Sequence, residues 1–197
     1  GCDVTVMGST RLTSSSQDRG RIARALDAEG NAVWAKRNAE SVSAFRQLEK
    51  DTGVPFYTEC GALVVGSEAF AKRAAQGVVD VERWGDRLAG RFPFLATNVD
   101  DFAALDAAAG HVDPMAMVAA QNAKAQHHGA RILNDATVGE LQLISGDTEG
   151  SRQSVVAITA ADHQRVEADI AVVCAGAYTV PLLSASGLSC PPLLAGV

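Results

Sequence analysis

The stretch DPMAMVAAQNAKAQHHGARIL, residues 113–133, joins a helix to a strand and decides the fold class. Asp113 can cap a helix, and Pro114 suits the first helical position because an N–H there would have no partner within the helix. Gly129 is a natural helix end, and residues 130–133 after it predict a strand. A helix that leads directly into a strand is typical of mixed α/β proteins.

The residues before this stretch alternate between strand and helix patterns in the same way. Apolar spacing, caps and turn residues predict each element. From the amino terminus we expect a strand at 4–7, a helix at 31–51 that ends at Gly53, a hairpin of strands at 54–57 and 62–65, a helix from Ser67 to Leu88, and a loop at 91–109.

Three further strand patterns follow, at 138–145, 154–160 and 166–174. The turn pairs Gly146-Asp147 and Asp162-His163 separate them, so they predict a β-meander. The last pattern ends in the unbroken apolar run from Ile170 to Cys174. A strand that is apolar on both faces is typical of a parallel sheet covered by helices, and it would hold Cys174 as an inert, buried thiol. The predicted fold class is therefore mixed α/β (α+β).

Composition excludes several classes of function. The chain has 197 residues, with 17 Lys and Arg against 23 Asp and Glu and a net charge of −6. Without excess basic charge we expect no nucleic-acid partner, and without a long apolar run we expect no membrane partner. The four cysteines are far apart, so neither a zinc site nor a redox dithiol is expected. We expect four reduced thiols in a reducing, intracellular compartment, peroxisomal for a eukaryotic source and cytoplasmic for a bacterial one.

Two segments have residues suited to ligand chemistry. Between residues 14 and 24, serine hydroxyls can bind phosphate or ribose oxygens, and the guanidinium groups of Arg21 and Arg24 match a carboxylate. A solvated basic turn would have the same composition. At Ala175 and Gly176, small residues after the predicted last strand would let a ligand approach the backbone closely. A plain strand exit is the alternative reading.

The segment Gly110-His111-Val112-Asp113-Pro114 does not by itself indicate a functional site. It reads as a strand end followed by a capped helix. Asp113 is better explained as a helix cap than as a catalyst. His111 is expected to be a surface residue.

In order and spacing, these segments resemble the FAD-dependent oxidoreductases of the D-amino-acid oxidase superfamily, nearest the sarcosine oxidase and pipecolate oxidase branch. The matching segments cover nearly the whole chain. They are residues 3–7, the Ser15-Ser16 to Arg21-Ile22-Ala23-Arg24 segment, residues 34–48, 52–53 and 61–66, Gly110 to Pro114 with Gly129-Ala130, residues 136–138, and residues 173–179.

The resemblance implies a partial FAD-binding Rossmann-like domain with an inserted part of a substrate domain. It divides the chain into 1–52 and 110–197, which belong to the FAD-binding domain, and 53–109, which belongs to the substrate domain. The implied cofactor is FAD, and the implied substrate is a small amine or amino acid. The implied site residues are Arg24 on the substrate carboxylate, Arg21 beside the flavin ring, Ser15 and Ser16 on the flavin, Val138 at the adenine end, and Ala175 and Gly176 near the phosphates.

The sequence also departs from the family pattern. The Gly-x-Gly-x-x-Gly turn is absent, and Gly8 stands where an acidic residue would bind ribose. The Gly-Asp of the arginine segment is Asp18-Arg19. We therefore expect the 197 residues to be the middle of a longer oxidase and to be inactive alone. A non-catalytic remnant and a small-ligand binding module are the alternatives.

Overall fold

The computed structural model describes residues 1–9, 14–18, 20–27, 29–98, 100–145 and 153–190, so Arg19 and the predicted turn Gly146-Asp147 lie outside the described residues. The strands are β1 (Thr5–Met7), β2 (Arg21–Ala23), β3 (Tyr57–Glu59), β4 (Ala62–Gly66), β5 (Val81–Arg83), β6 (Phe102–Asp106), β7 (Gly110–Val112), β8 (Arg131–Leu133), β9 (Val138–Ile144), β10 (Ser154–Thr159) and β11 (Arg165–Ala168). The helices are α1 (Ala32–Thr52), α2 (Glu68–Ala75), α3 (Asp86–Arg91), α4 (Pro114–His127) and α5 (Thr179–Ala185). The predicted mixed α/β class is confirmed.

The chain divides into two compact units, residues 15–127 and residues 1–14 with 128–197. Each unit is described by itself below. The division into 1–52, 53–109 and 110–197 that the resemblance implies stays a prediction. No helix in the described ranges is both long enough and apolar enough to cross a membrane.

Two long helices of the unit 15–127 begin and end at the predicted residues. The side chain of Asn31 accepts hydrogen bonds from the N–H groups of Val33 and Trp34 and so caps α1, which ends at Gly53 with a φ of 70°. The Oδ1 atom of Asp113 accepts from the N–H groups at positions 115 and 116 and so caps α4. These signals are local in sequence, which is why they could be read without the fold.

The antiparallel sheet β2-β7-β3 shares an apolar core with α1 and α4. The buried residues of that core are Val42, Phe56, Tyr57, Val112 and Ala120. The predicted hairpin between β3 and β4 is wrong, because β3 pairs with β7 and β4 pairs with β6. The N–H groups of Cys60 and Gly61 both donate to the carbonyl oxygen of Ala109. Because these bonds hold the residues between β3 and β4 against Ala109, β4 does not fold back onto β3 and instead belongs to a second sheet.

That second sheet has the order β4-β6-β5 and packs against α2. The helix predicted from Ser67 to Leu88 begins as expected, with the Ser67 side chain accepting from the N–H group of Phe70. Its predicted end is wrong: α2 ends at Ala75, because Gln76 with a φ of 47° and Gly77 with a φ of 72° turn the chain out of the helix. The predicted loop at 91–109 is also wrong, since it contains β6, the central strand. The alanines of β6 have little strand propensity of their own. They are buried because α2 packs against this strand.

In the other unit, β1 and β8 form a two-stranded parallel sheet. The strands β9, β10 and β11 form an antiparallel meander, as predicted. The N–H group of Leu141 donates to Ser186 Oγ at 2.8 Å, which ties β9 to the end of α5. Among the described residues, Leu141, Val156 and Thr159 are the buried positions of this unit.

The predicted buried strand from Ile170 to Cys174 is wrong. Its residues belong to no strand, and Ile170 and Val172 are 78% and 81% exposed. The pairing of β11 with β10 ends at Ala168, and a strand needs a hydrogen-bonded neighbour to exist. Cys174 is consequently exposed rather than buried.

Candidate functional site

The serine–arginine segment of the unit 15–127 is a closed loop held by Arg21. Residues Ser15–Gln17 form one 3-10 turn, and the chain enters β2 at Arg21. The guanidinium of Arg21 donates to the carbonyl oxygen of Ser15 at 2.5 Å, to Asp18 Oδ2 at 2.9 Å and to the carbonyl oxygen of Gly20 at 3.2 Å. The structure therefore brings Arg21 and Ser15 together, and Arg21 fixes the loop that presents both serines.

Arg24 differs from Arg21 in its surroundings. It follows β2 directly and is exposed. Within the part of the chain that the structure describes, its side chain has no hydrogen bond or ion pair, whereas Arg21, Arg46, Arg83 and Arg87 all pair with acids. Such a guanidinium can donate two parallel N–H groups to the carboxylate of a ligand.

The strand register places further side chains on the face where Ile22 lies. Ile22 pairs with His111 on β7, and His111 pairs in turn with Thr58 on β3. All three are exposed, Ile22 at 75%. Neither His111 nor Thr58 was among the site residues inferred from the sequence. The alternation of buried and exposed residues around His111 could be predicted from the sequence. Its partners on the neighbouring strands could not, because they are distant in sequence.

The opposite face of this sheet is anchored by a carboxylate network. Glu49 Oε1 accepts from the N–H groups of Phe56 and Tyr57, both at 2.8 Å, and Glu49 Oε2 accepts from Arg46 at 3.0 Å. Burial by itself would raise the pKa of Glu49, but these hydrogen bonds outweigh it and hold the pKa below its ordinary value. Arg46 also pairs with Glu59 at 2.9 Å and lies over the Tyr57 ring. The network fixes β3, and with it the exposed row of side chains.

Strands β3 and β7 lie too close together at Gly110 to leave room for a side chain there. A Cβ atom at this position would lie 2.1 Å from the carbonyl oxygen of Thr58. Only glycine lets the two backbones come this close. Gly110 therefore has a structural reason to be glycine, and it positions His111 beside Thr58.

The other unit has a cleft of about 570 Å³ where the parallel strands β1 and β8 end. It is lined by Met7 and Leu133 from the strand ends and by polar residues that include Asn134, Asp135, Thr137 and Asp162. The hydroxyl of Thr159 donates to Asp162, and this bond holds the pKa of Asp162 below its ordinary value. Carboxyl ends of parallel strands are where α/β folds bind ligands.

Three predicted cofactor residues belong to this second unit. Val138 begins β9 directly after Thr137 and so lies beside the cleft. Ala175 and Gly176 are not at a strand exit, because no strand precedes them; they begin a 3-10 turn, Gly176–Tyr178, in which Gly176 has a φ of 55°. The structure thus places Val138 at a polar cleft and the other two on an exposed turn.

These residues fit part of FAD by their chemistry. Carboxylate, amide and hydroxyl groups at the cleft can bind the hydroxyls of a ribose and the edge of an adenine. Gly8, at the end of β1, leaves open space where its side chain would be. The glycine-rich turn that would bind the pyrophosphate is not in the sequence. The fit therefore concerns the nucleoside end of the cofactor.

Solved structures of amine and amino acid oxidoreductases have the same fold. The chain is similar to a variant of NikD, "an unusual amino acid oxidase essential for nikkomycin biosynthesis", with a TM-score of 0.65 at 22% identity, over 92% of this chain and 47% of that one. It is similar to iminodiacetate oxidase (IdaA) from Chelativorans sp. BNC1 with a TM-score of 0.65 at 20% identity, over 97% and 53%. For L-proline dehydrogenase from P. horikoshii the TM-score is 0.61 at 16% identity, over 83% and 44%.

At these identities the likeness shows the fold, and the chain spans about half the length of the structures it matches. No curated protein sequence matches the chain significantly. A family model does match it: the model described as "FAD dependent oxidoreductase", DAO, covers residues 1–195. The chain therefore belongs to the DAO family of FAD-dependent oxidoreductases.

Proposed function

We propose that this chain is part of an FAD-dependent oxidoreductase that oxidises the C–N bond of a carboxylate-bearing amine, as sarcosine oxidase-like enzymes do. The observation that carries the proposal is the exposed guanidinium of Arg24, directly after β2, which pairs with none of the residues that the structure describes. The similarity to an iminodiacetate oxidase and an L-proline dehydrogenase supports a substrate of this kind. An N-methyl or cyclic amino acid has both the amine and the carboxylate.

In this proposal Arg24 binds and orients the substrate. Two parallel N–H···O bonds to one carboxylate fix both its position and its rotation, so the carbon next to the amine points in one direction. Arg24 lies next to a strand of a sheet with a packed core, which limits its backbone motion. Removing the guanidinium would raise KM and also lower kcat, because orientation is lost with affinity.

Other residues of the chain would hold the cofactor. Ser15 and Ser16 would contact the flavin from the loop that Arg21 closes, and Val138 would contact the adenine end from the cleft. The positions of Ala175 and Gly176 near the phosphates stay a prediction. When bound, FAD would supply the acceptor for the hydride that leaves the carbon next to the amine, and the protein would supply orientation and electrostatics.

We also propose that the 197 residues do not complete a turnover alone. The greater length of the similar solved structures supports this view, and so does the missing pyrophosphate turn. The two remaining alternatives differ from it in cofactor binding. A small-ligand binding module would bind a carboxylate and no FAD, and a non-catalytic remnant would bind neither.

Thermal unfolding with ligands tests the proposed function. A ligand that binds the native state raises Tm in proportion to ln(1 + [L]/Kd). We expect FAD to raise the Tm of the chain more than riboflavin does, because riboflavin lacks the nucleoside, and we expect no hydrogen peroxide from N-methylglycine. Equal Tm values with and without FAD would contradict the cofactor assignment. Stoichiometric bound flavin with peroxide formation would contradict the inactivity of the isolated chain.

A further inference from the structure

A row of three exposed side chains crosses the β2-β7-β3 sheet beside Arg24. Ile22, His111 and Thr58 are register partners on adjacent antiparallel strands. Side chains of such partners stand on the same face with their Cβ atoms about 5 Å apart. Arg24 is two residues beyond Ile22 and is exposed as well. We call the exposed side chains of Ile22, His111 and Thr58, together with Arg24 directly after β2, the His111 face. It combines a guanidinium, an imidazole, a hydroxyl and an aliphatic side chain.

The polar groups of the His111 face have no partners of their own. In the described part of the unit 15–127, the side chains of Arg24, Thr58 and His111 form no hydrogen bond or ion pair. Asp113 is two residues from His111, and its Oδ1 atom already accepts from two N–H groups at the start of α4. Glu59 is on the other face of the sheet and is bound by Arg46. The charge of the face is thus unbalanced and cationic.

The apolar part of the face is Ile22. Ile22 is 75% exposed although it lies within a strand whose neighbours, Ala23 and Val112, pack into the core. An exposed isoleucine between an arginine and a histidine offers an aliphatic contact next to donors for an anion. This combination matches a small molecule with a carboxylate at one end and a short aliphatic part at the other.

We propose that His111 is a second carboxylate-binding residue, with Thr58 as an additional donor and Ile22 as the floor for the aliphatic part of the substrate. The proposal rests on the proposed function, since it adds residues to the substrate site of which Arg24 is the first member. His111 donates from its ring N–H and Thr58 from its hydroxyl, so that the carboxylate contacts two strands in addition to Arg24. The face selects short aliphatic carboxylates over their amides.

Proton–nitrogen NMR of the histidine rings tests this directly in the 197-residue chain. The probe is propionate, with propionamide as the uncharged control and chloride to match ionic strength. We expect propionate to shift the His111 ring signals in a saturable way and to leave those of His127, at the end of α4, in place. We expect His111→Gln to weaken propionate binding roughly tenfold, as for the loss of one charge-assisted hydrogen bond. Thr58→Val should weaken it less, and the exposed-site control Lys36→Gln should not weaken it.

The outcomes separate this inference from the proposed function. If Arg24→Gln abolishes propionate binding while His111→Gln leaves it unchanged, His111 is no part of the site and the role of Arg24 stands. If propionate does not bind the folded wild-type chain, the inference fails, and the effect of FAD on Tm still reports on the proposed function. If propionate shifts the His127 and His111 signals alike, binding is not local and the inference is overturned.

Discussion

At the scale of single residues, the close approach of β3 and β7 makes Gly110 irreplaceable. A Cβ atom there would meet the backbone of Thr58 at 2.1 Å, and backbone cannot move aside as a flexible side chain can. We expect Gly110→Ala to lower the free energy of unfolding by about 1–3 kcal/mol, as for overpacked sites. Urea unfolding followed by circular dichroism measures it.

The matched control for this substitution is Gly90→Ala in α3. Gly90 has open space around the position of a Cβ atom. Alanine is the better helix former, so this variant should be unchanged or more stable, by up to about 1 kcal/mol. An equal loss of stability in both variants would show that the contact with Thr58 is not the cause.

Glu49 is the residue through which pH should act on stability. Its folded-state pKa lies below its ordinary value near 4.5, so the carboxylate contributes stability that is fully present above that value. As pH falls through the folded pKa, this contribution is lost. We expect Glu49→Gln to cost about 1 kcal/mol at pH 7, and we expect this difference from the wild type to shrink below pH 4 or so.

Urea unfolding of the two proteins between pH 7 and pH 3 follows this difference. The exposed Glu40→Gln on the same helix is the control and should follow the wild type at every pH. A cost of Glu49→Gln that stays constant with pH would mean that the charge of the carboxylate does not hold β3.

At the scale of elements, the helix cap at Asp113 decides where α4 begins. Its Oδ1 atom accepts from two N–H groups at 3.0 Å each. Asp113→Ala should lower the free energy of unfolding by about 0.5–2 kcal/mol. Asp113→Asn retains the acceptor and should lower the free energy of unfolding by only about 0.3 kcal/mol. Thermal unfolding of both variants tests whether Asp113 acts as a cap. If its charge mattered instead, the two substitutions would lower the stability equally.

Residues 170–174 behave as an unpaired segment in the present structure. Ile170 and Val172 are mostly exposed, and the segment belongs to no strand. Hydrogen–deuterium exchange should therefore be fast in this segment and slow in β10, which is bonded on both sides. Slow exchange at 170–174 would instead agree with the buried strand that the sequence pattern predicts.

At the scale of the whole molecule, the elements that nearby residues determine were predicted from the sequence, and the pairing of distant strands was not. The helices α1 and α4 and the β-meander were predictable because caps, a left-handed glycine and turn residues lie within a few positions of what they decide. The pairing of β3 with β7 and of β4 with β6 was not, because strand partners 36 to 55 residues apart leave no local mark in the sequence. The early end of α2 was missed because Gln76 adopts a positive φ, which is uncommon outside glycine.

The candidate site shows the same division. The segment from Ser15 to Arg24 was found in the sequence by residue type and order. The different surroundings of its two arginines are visible only in the structure, where Arg21 closes a loop and Arg24 pairs with no described residue. His111 and Thr58 entered only when the register placed them next to Ile22.

The central claim is that Arg24 binds the carboxylate of an amine substrate. Calorimetric titration of the chain with N-methylglycine, and with its amide as the comparison that lacks the carboxylate, tests it most directly. We predict that N-methylglycine binds the wild type and Lys36→Gln alike, that Arg24→Gln weakens its binding at least roughly tenfold, and that the amide binds none of them. Equal affinity of the wild type and Arg24→Gln for N-methylglycine would contradict the account.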